Sequence, residues 1–175
     1  MFGEQGVEVP LDAVATAAGV GSATLHRHFR GRLELVHAVL DSEADRLAAR
    51  AEELSSNDRP GWALRAWLWE LIGFIMSFRG LAILLADQGA DTTLQARHRA
   101  LTHACQQLLS PAQADGDVRA TIDAGDLLKM AHGIAVASGD SIETADRLLD
   151  LLSTGFVDTT GRKIDPGAGS EQHLK

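Results

Sequence analysis

Residues 9–40 read VPLDAVATAAGVGSATLHRHFRGRLELVHAVL, and the glycines in this stretch cut it into three helical pieces. After Pro10, whose fixed φ suits the first position of a helix, Leu11, Val14, Ala15 and Ala18 repeat at i, i+3, i+4 and i+7. The stripe predicts a short helix ending at Gly19. Gly19-Val20-Gly21 leaves room only for a tight turn, after which Ser22 to Phe29 resumes helical spacing with Leu25 and Phe29 on one face. Gly31 breaks the pattern again. From Arg32 a long amphipathic helix carries Leu33, Val36, Leu40, Leu47 and Leu54, and stops in the polar run Ser55-Ser56-Asn57-Asp58 ahead of Pro60.

Two short helices joined by a glycine turn describe either a helix-turn-helix, whose second helix enters the DNA major groove, or an ordinary αα turn with an exposed basic helix. Spacing alone leaves both open. With Leu25 and Phe29 turned inward, Ala23, Thr24 and Arg27 fall on the opposite side, with Ser22, His26 and His28 on the flanks. That face is small, polar and cationic. Arg27 can present its fork to guanine O6 and N7, and the methyl of Ala23 or Thr24 can meet a thymine methyl. Arg30, Arg32 and the two histidines are placed to pair with phosphates.

The charge pattern supports this reading in spite of the total. A net charge of -8 by itself argues against a nucleic-acid partner. Residues 1–32, however, set Arg27, Arg30 and Arg32 against Glu4, Glu8 and Asp12 and are neutral, so the whole imbalance lies downstream. Local bunching of cations governs a phosphate contact.

The quoted stretch resembles the DNA-binding segment of the tetracycline-repressor (TetR) family, where a similar run reads IA..AGVS.GTLYRHF.SKEEL. Val14 and Ala15 stand at the family's Ile-Ala, Ala18, Gly19 and Val20 at its Ala-Gly-Val turn, and Thr24, Leu25, Arg27, His28 and Phe29 at the end of its recognition helix. The resemblance implies a phosphate contact for Arg32 and an anchoring role for Leu35. Gly21 departs from the usual serine cap, a change worth a few tenths of a kcal/mol, and His26 replaces the usual tyrosine. Met1–Gly6 corresponds only to the last turn of the family's first helix. The expectation is that the preceding turns, with their basic arm, are missing from this sequence, since the helix-turn-helix itself is intact.

The remainder is helical in pattern, with no sustained period-2 alternation and no tyrosine, so the chain is predicted to be all-α. Gly61 to Phe78 is apolar nearly all round, with Trp62, Trp67, Trp69, Phe74, Met76 and Phe78, which predicts a central buried helix. A short helix over 81–86 should follow Gly80. Thr92 or Thr93 can cap a further helix with the stripe Leu94, His98, Leu101, Cys105 and Leu108, interrupted near its end by Pro111. Helices from Asp123 to Val136 and from Ile142 to Phe156 close the chain. We therefore expect a helix-turn-helix region with its linking helix over 1–54, a helical ligand-binding and dimerisation domain over 55–158, and a disordered tail over 159–175.

The resemblance implies a twofold homodimer, paired through Asp123 to Phe156, that reads a palindromic double-stranded DNA operator and answers to a small apolar effector of unknown identity. Trp67, Phe74, His98, Cys105 and His132 are the candidate effector-binding residues. Each aromatic, and Met76, can equally be plain core, and His98 and His132 can each be hydrogen-bonded core histidines or polar groups of a pocket. No cofactor or metal is expected. Cys105 alone forms no disulfide framework, and no HExxH, P-loop, GxSxG or CxxC occurs. His98, His103 and Cys105 point roughly 140° and 200° apart along one helix and cannot converge, which speaks against an enzyme. The alternative to a repressor is a ligand-binding helical dimer that has lost DNA binding. Arg79 interrupts the best apolar run, no membrane span is expected, and no secretion signal opens the chain, so it is expected in the cytoplasm.

Overall fold

The computed structural model describes residues 9–86 and 92–154. These residues form seven helices: α1 (Leu11–Ala17), α2 (Ser22–His28), α3 (Arg32–Ser55), α4 (Pro60–Ala86), α5 (Thr92–Ala114), α6 (Ala124–Ala137) and α7 (Ile142–Thr154). The all-α expectation is met, and no strand occurs among the described residues. No described helix is long and apolar enough to cross a membrane.

Glycine punctuation works as read at the first turn. Gly19 takes φ +70, the left-handed conformation that glycine reaches without strain, and the Val20 amide closes back on the Ala15 carbonyl at 3.0 Å. Pro10 sits one position earlier than expected, as the cap preceding α1. Phe29 leaves the helix in an extended conformation, and its ring packs beneath Leu35, Val36 and Leu40.

Three expectations for the second half need correction. Gly61 to Phe78 and 81–86 are not two helices but one continuous α4, because Gly80 keeps helical geometry. A lone glycine costs only about 1 kcal/mol in a helix interior, and an apolar run continues beyond it. Pro111 does not end α5, which goes on to Ala114 with the proline inside. Nor is α4 buried all round: Trp62 is 46% exposed.

Most of the core lies between α3, α4, α5 and α6, where Leu47, Trp67, Leu71, Ile72, Cys105, Leu108 and Leu109 are sealed from solvent. The Trp67 indole N–H donates to the Leu47 carbonyl at 2.8 Å, so this ring ties α4 to α3. One turn further, Glu70 accepts from Arg46 and from Arg50 of α3 at 2.9 Å each. Burial pushes the Glu70 carboxyl up, but the two guanidinium hydrogen bonds prevail and leave it below its ordinary value. A second, small core of Leu35, Val36 and Leu40 gathers half-buried Leu11, Val14, Phe29, Val39, Phe74 and Phe78 around it. Phe74 packs against both cores, its ring 5.3 Å from that of Phe78. The expected end of α7 at Phe156, the tail over 159–175 and the stretch Met1–Gly6 lie outside the described residues.

Candidate DNA-reading face and effector region

Leu25 is buried and fixes α2 by its inner side, so the outer side is set by helical geometry. Ser22, Ala23, Thr24, His26, Arg27 and His28 are all exposed, as is Arg30 just beyond. Arg27, His28 and Arg30 have no side-chain partner among the described residues, which leaves two guanidinium groups and an imidazole free to meet an anion. The helix begins at Gly21 without any side-chain cap. Two of the predicted residues are already engaged. Asp12 of α1 accepts a hydrogen bond from the Ser22 hydroxyl and lies 3.7 Å from His26 Nε2. That carboxylate steadies α2 against α1, a role for Asp12 that a count of cations had obscured.

Arg32 differs from the expected surface cation. It is half-buried, and its Nη1 is buried without a hydrogen-bond partner. A buried donor left unsatisfied costs about 1–3 kcal/mol. Beside it, the Arg30 amide donates to Glu34 at 2.6 Å and shapes the turn between α2 and α3.

The five predicted effector residues are not brought together. Trp67 and Cys105 are core: the indole donor is spent on Leu47, and burial pushes the Cys105 thiol up to about 12, so it is no nucleophile at neutral pH. Phe74 is the junction between the two cores. His132 is exposed on α6, one turn before the exposed Val136, and faces away from the interior. His98 is exposed as well, rather than buried in an apolar stripe. With Leu94, Gln95 and Arg99 it lines an open cavity of about 560 Å³.

The buried polar residue of α5 is the neighbour, Arg97, only 9% exposed. Its Nε donates to Asp41 at 2.6 Å, and an Nη stands 2.6 Å from His37 Nδ1, both on α3. Arg97, Asp41 and His37 had escaped the sequence reading, because a shift of one residue turns a helical side chain by about 100°. No cluster of three or more metal-ligating side chains occurs among the described residues.

Helices α6 and α7 start on side-chain caps. Asp123 accepts from the Asp126 amide at 2.8 Å, and the Ser141 hydroxyl accepts from the Thr144 amide at 3.1 Å. Their outward surface leaves Val136, Ile142, Leu151 and Leu152 exposed. Of the small residues in α6, Ala131 and Ala135 are consumed by the chain's own core, while Gly133 and Ala137 face outward.

Comparison with known proteins agrees with this geometry. Residues 1–39 match the family profile described as bacterial regulatory proteins, tetR family, and residues 59–157 match that of transcriptional regulator SbtR-like, C-terminal domain. A TetR transcriptional regulator from Streptomyces coelicolor is similar at 32% identity and a TM-score of 0.76, over 90% of this chain and 93% of that one. A TetR regulatory protein from Mycobacterium vanbaalenii is similar at 28% identity and a TM-score of 0.68, over 88% and 86%. The fold is shared by AibR, solved in complex with isovaleryl coenzyme A and operator DNA, at 19% identity and a TM-score of 0.54 over 87% and 89%. No curated protein matches the chain.

Proposed function

The chain belongs to the TetR family of bacterial transcriptional regulators, and from that premise we propose that it is a homodimeric repressor released from a palindromic operator by a small-molecule effector. The observation that carries this reading is the outer side of α2, where Ala23, Thr24 and an unpaired Arg27 are exposed over an anchored Leu25. Arg27 reads a base, and Arg30, His28 and Arg32 take phosphates. The exposed apolar side chains of α6 and α7 supply the surface on which two copies pair. Pairing sets two α2 helices about one turn of DNA apart, ~34–36 Å. AibR, a protein of this fold held with both an acyl coenzyme A and its operator, supports a switch of the same kind here. The sealed Cys105 and the scattered histidines favour a binding protein over a catalyst, and a DNA target is in keeping with the cytoplasm.

Selection from random duplexes followed by gel shift tests the reading. The full chain should enrich a palindrome. Arg27→Ala should then lose about 1–3 kcal/mol at one base position per half-site and relax preference there, whereas Arg32→Ala should weaken all sequences alike and shallow the salt slope. Failure to enrich any sequence, with ligand binding retained, would instead favour a helical dimer without DNA binding.

A further inference from the structure

Asp12 stands in the first turn of α1 and meets the reading helix at two points. The Ser22 hydroxyl donates to its Oδ1, and the same oxygen lies 3.7 Å from His26 Nε2. Ser22 and His26 are four residues apart, so they share one flank of α2 and a single carboxylate spans a full turn of it. The helix has little else to hold it. It is 7 residues long, starts at Gly21 without a side-chain cap and buries Leu25 alone, and a helix so short is marginal on its own. Leu25 fixes the inner side but leaves the helix free to roll. A roll of about 20° carries a group about 6 Å from the axis, such as the Arg27 guanidinium, by roughly 2 Å. That is enough to break a forked contact with a base edge.

The same carboxylate acts at longer range. Its side chain is 75% exposed, and no arginine or lysine among the described residues lies within ion-pair range of it. With α2 in the groove, Ser22 lies at the end of the helix that meets the DNA. A carboxylate bonded to that residue faces phosphates within one screening length, about 8 Å at physiological salt. Its charge opposes every duplex alike, whereas a fixed roll of α2 favours only the duplex that Arg27 matches. We propose that Asp12 is a specificity-determining residue of this regulator, which positions α2 through Ser22 and His26 and by its charge lowers affinity for DNA at large. Ser22 then acts as a strut and not as a donor to DNA, because its proton is committed to Asp12. The inference rests on the reading of the chain as a DNA-binding regulator and adds a residue on the helix that does not read.

The test compares the full chain with Asp12→Asn, Asp12→Ala, Ser22→Ala and the double variant Asp12→Ala with Ser22→Ala. Each is titrated against the duplex that the unaltered chain enriches and against a scrambled duplex of equal length. Asp12→Asn keeps an acceptor for Ser22 and removes the charge, so both affinities should rise about threefold and their ratio should stay within about twofold. Asp12→Ala should also bind the scrambled duplex about threefold tighter, but the ratio should fall roughly tenfold with loss of the charge-assisted hydrogen bond. Ser22→Ala should lower the ratio by a similar factor with scrambled affinity unchanged. The double variant should lower it no further than Asp12→Ala alone, as the two ends of one contact require. Without DNA, amide exchange at Leu25 and Phe29, which close onto the Gly21 and Leu25 carbonyls, should quicken in Asp12→Ala and Ser22→Ala and not in Asp12→Asn. Weaker binding of both duplexes by Asp12→Ala marks a merely structural role and overturns the proposal. A changed preference at one base pair in Asp12→Asn makes Asp12 a reader itself and overturns it as well. A chain that enriches no duplex refutes the regulator reading, whereas one that enriches a duplex and keeps its discrimination in Asp12→Ala refutes the role of Asp12 alone.

Discussion

The DNA-reading end and the effector domain are built to different standards. Among the described residues the effector domain seals a continuous core from α3 to α7, and its last two helices begin on the side chains of Asp123 and Ser141. The reading end has Leu35, Val36 and Leu40 as its small core, and α1, α2 and α3 begin at Pro10, Gly21 and Gly31 without side-chain caps. It completes that core with rings borrowed from α4, Phe74 and Phe78. A module that leans on its neighbour for packing takes its orientation from that neighbour, which suits an element that has to be moved.

The contrast is sharpened most by Trp67→Ala. Losing a sealed indole and its hydrogen bond to Leu47 should cost about 3–5 kcal/mol, and urea denaturation should show the whole chain failing together, because the larger core supports both regions. Phe74→Ala removes a half-buried ring at the junction and should cost about 2–3 kcal/mol, below the fully buried case. The informative readout is shape: thermal unfolding should split into two transitions, with the reading end melting first. A single sharp transition in this variant would break the picture of a dependent reader.

Smaller effects probe the capping difference. Asp123→Ala should cost about 1 kcal/mol through loss of the α6 cap, measured as a lowered denaturation midpoint with α1 to α3 unaffected by hydrogen exchange. Gly21→Ser should be the mildest change, a gain of a few tenths of a kcal/mol. A Cβ at position 21 meets nothing closer than the Thr24 hydroxyl at 3.8 Å, and the φ of -68 suits any residue. A gain above 1 kcal/mol would mean that the open start of α2 is a larger weakness than its geometry implies.

Much of this was legible in the sequence where chemistry is local. Gly19 and Gly31 mark turns because backbone conformation and helix termination act within a few residues, and Leu25 announces the inner side of α2 for the same reason. Legibility failed where a partner on another helix decides. The stripe through Leu94, His98 and Cys105 is genuine only in its second half: Leu94 and His98 are exposed, and the buried side continues toward Arg97 instead. No apolar pattern could announce that arginine, since its burial depends on Asp41 and His37 some sixty positions earlier. Similarly, Trp67 read as a pocket wall becomes a structural tie once the Leu47 carbonyl is seen to face it.

The double grip of Glu70 on Arg46 and Arg50 has a mechanical consequence. It ties the far half of α3 to α4, with Trp67 beside it, while the stretch running back to Arg32 is held to α4 through Phe74 and Phe78 and to α5 through Arg97. From Arg50 to Arg32 this stretch measures roughly 27 Å at 1.5 Å per residue, and Arg97 holds it about midway, at Asp41. A tilt of only about 5° about the pinned half carries the tip by roughly 2 Å, comparable with the tolerance of a base-edge hydrogen bond. A displacement of about 1 Å at Asp41 would then move the tip beside α2 by about twice as much.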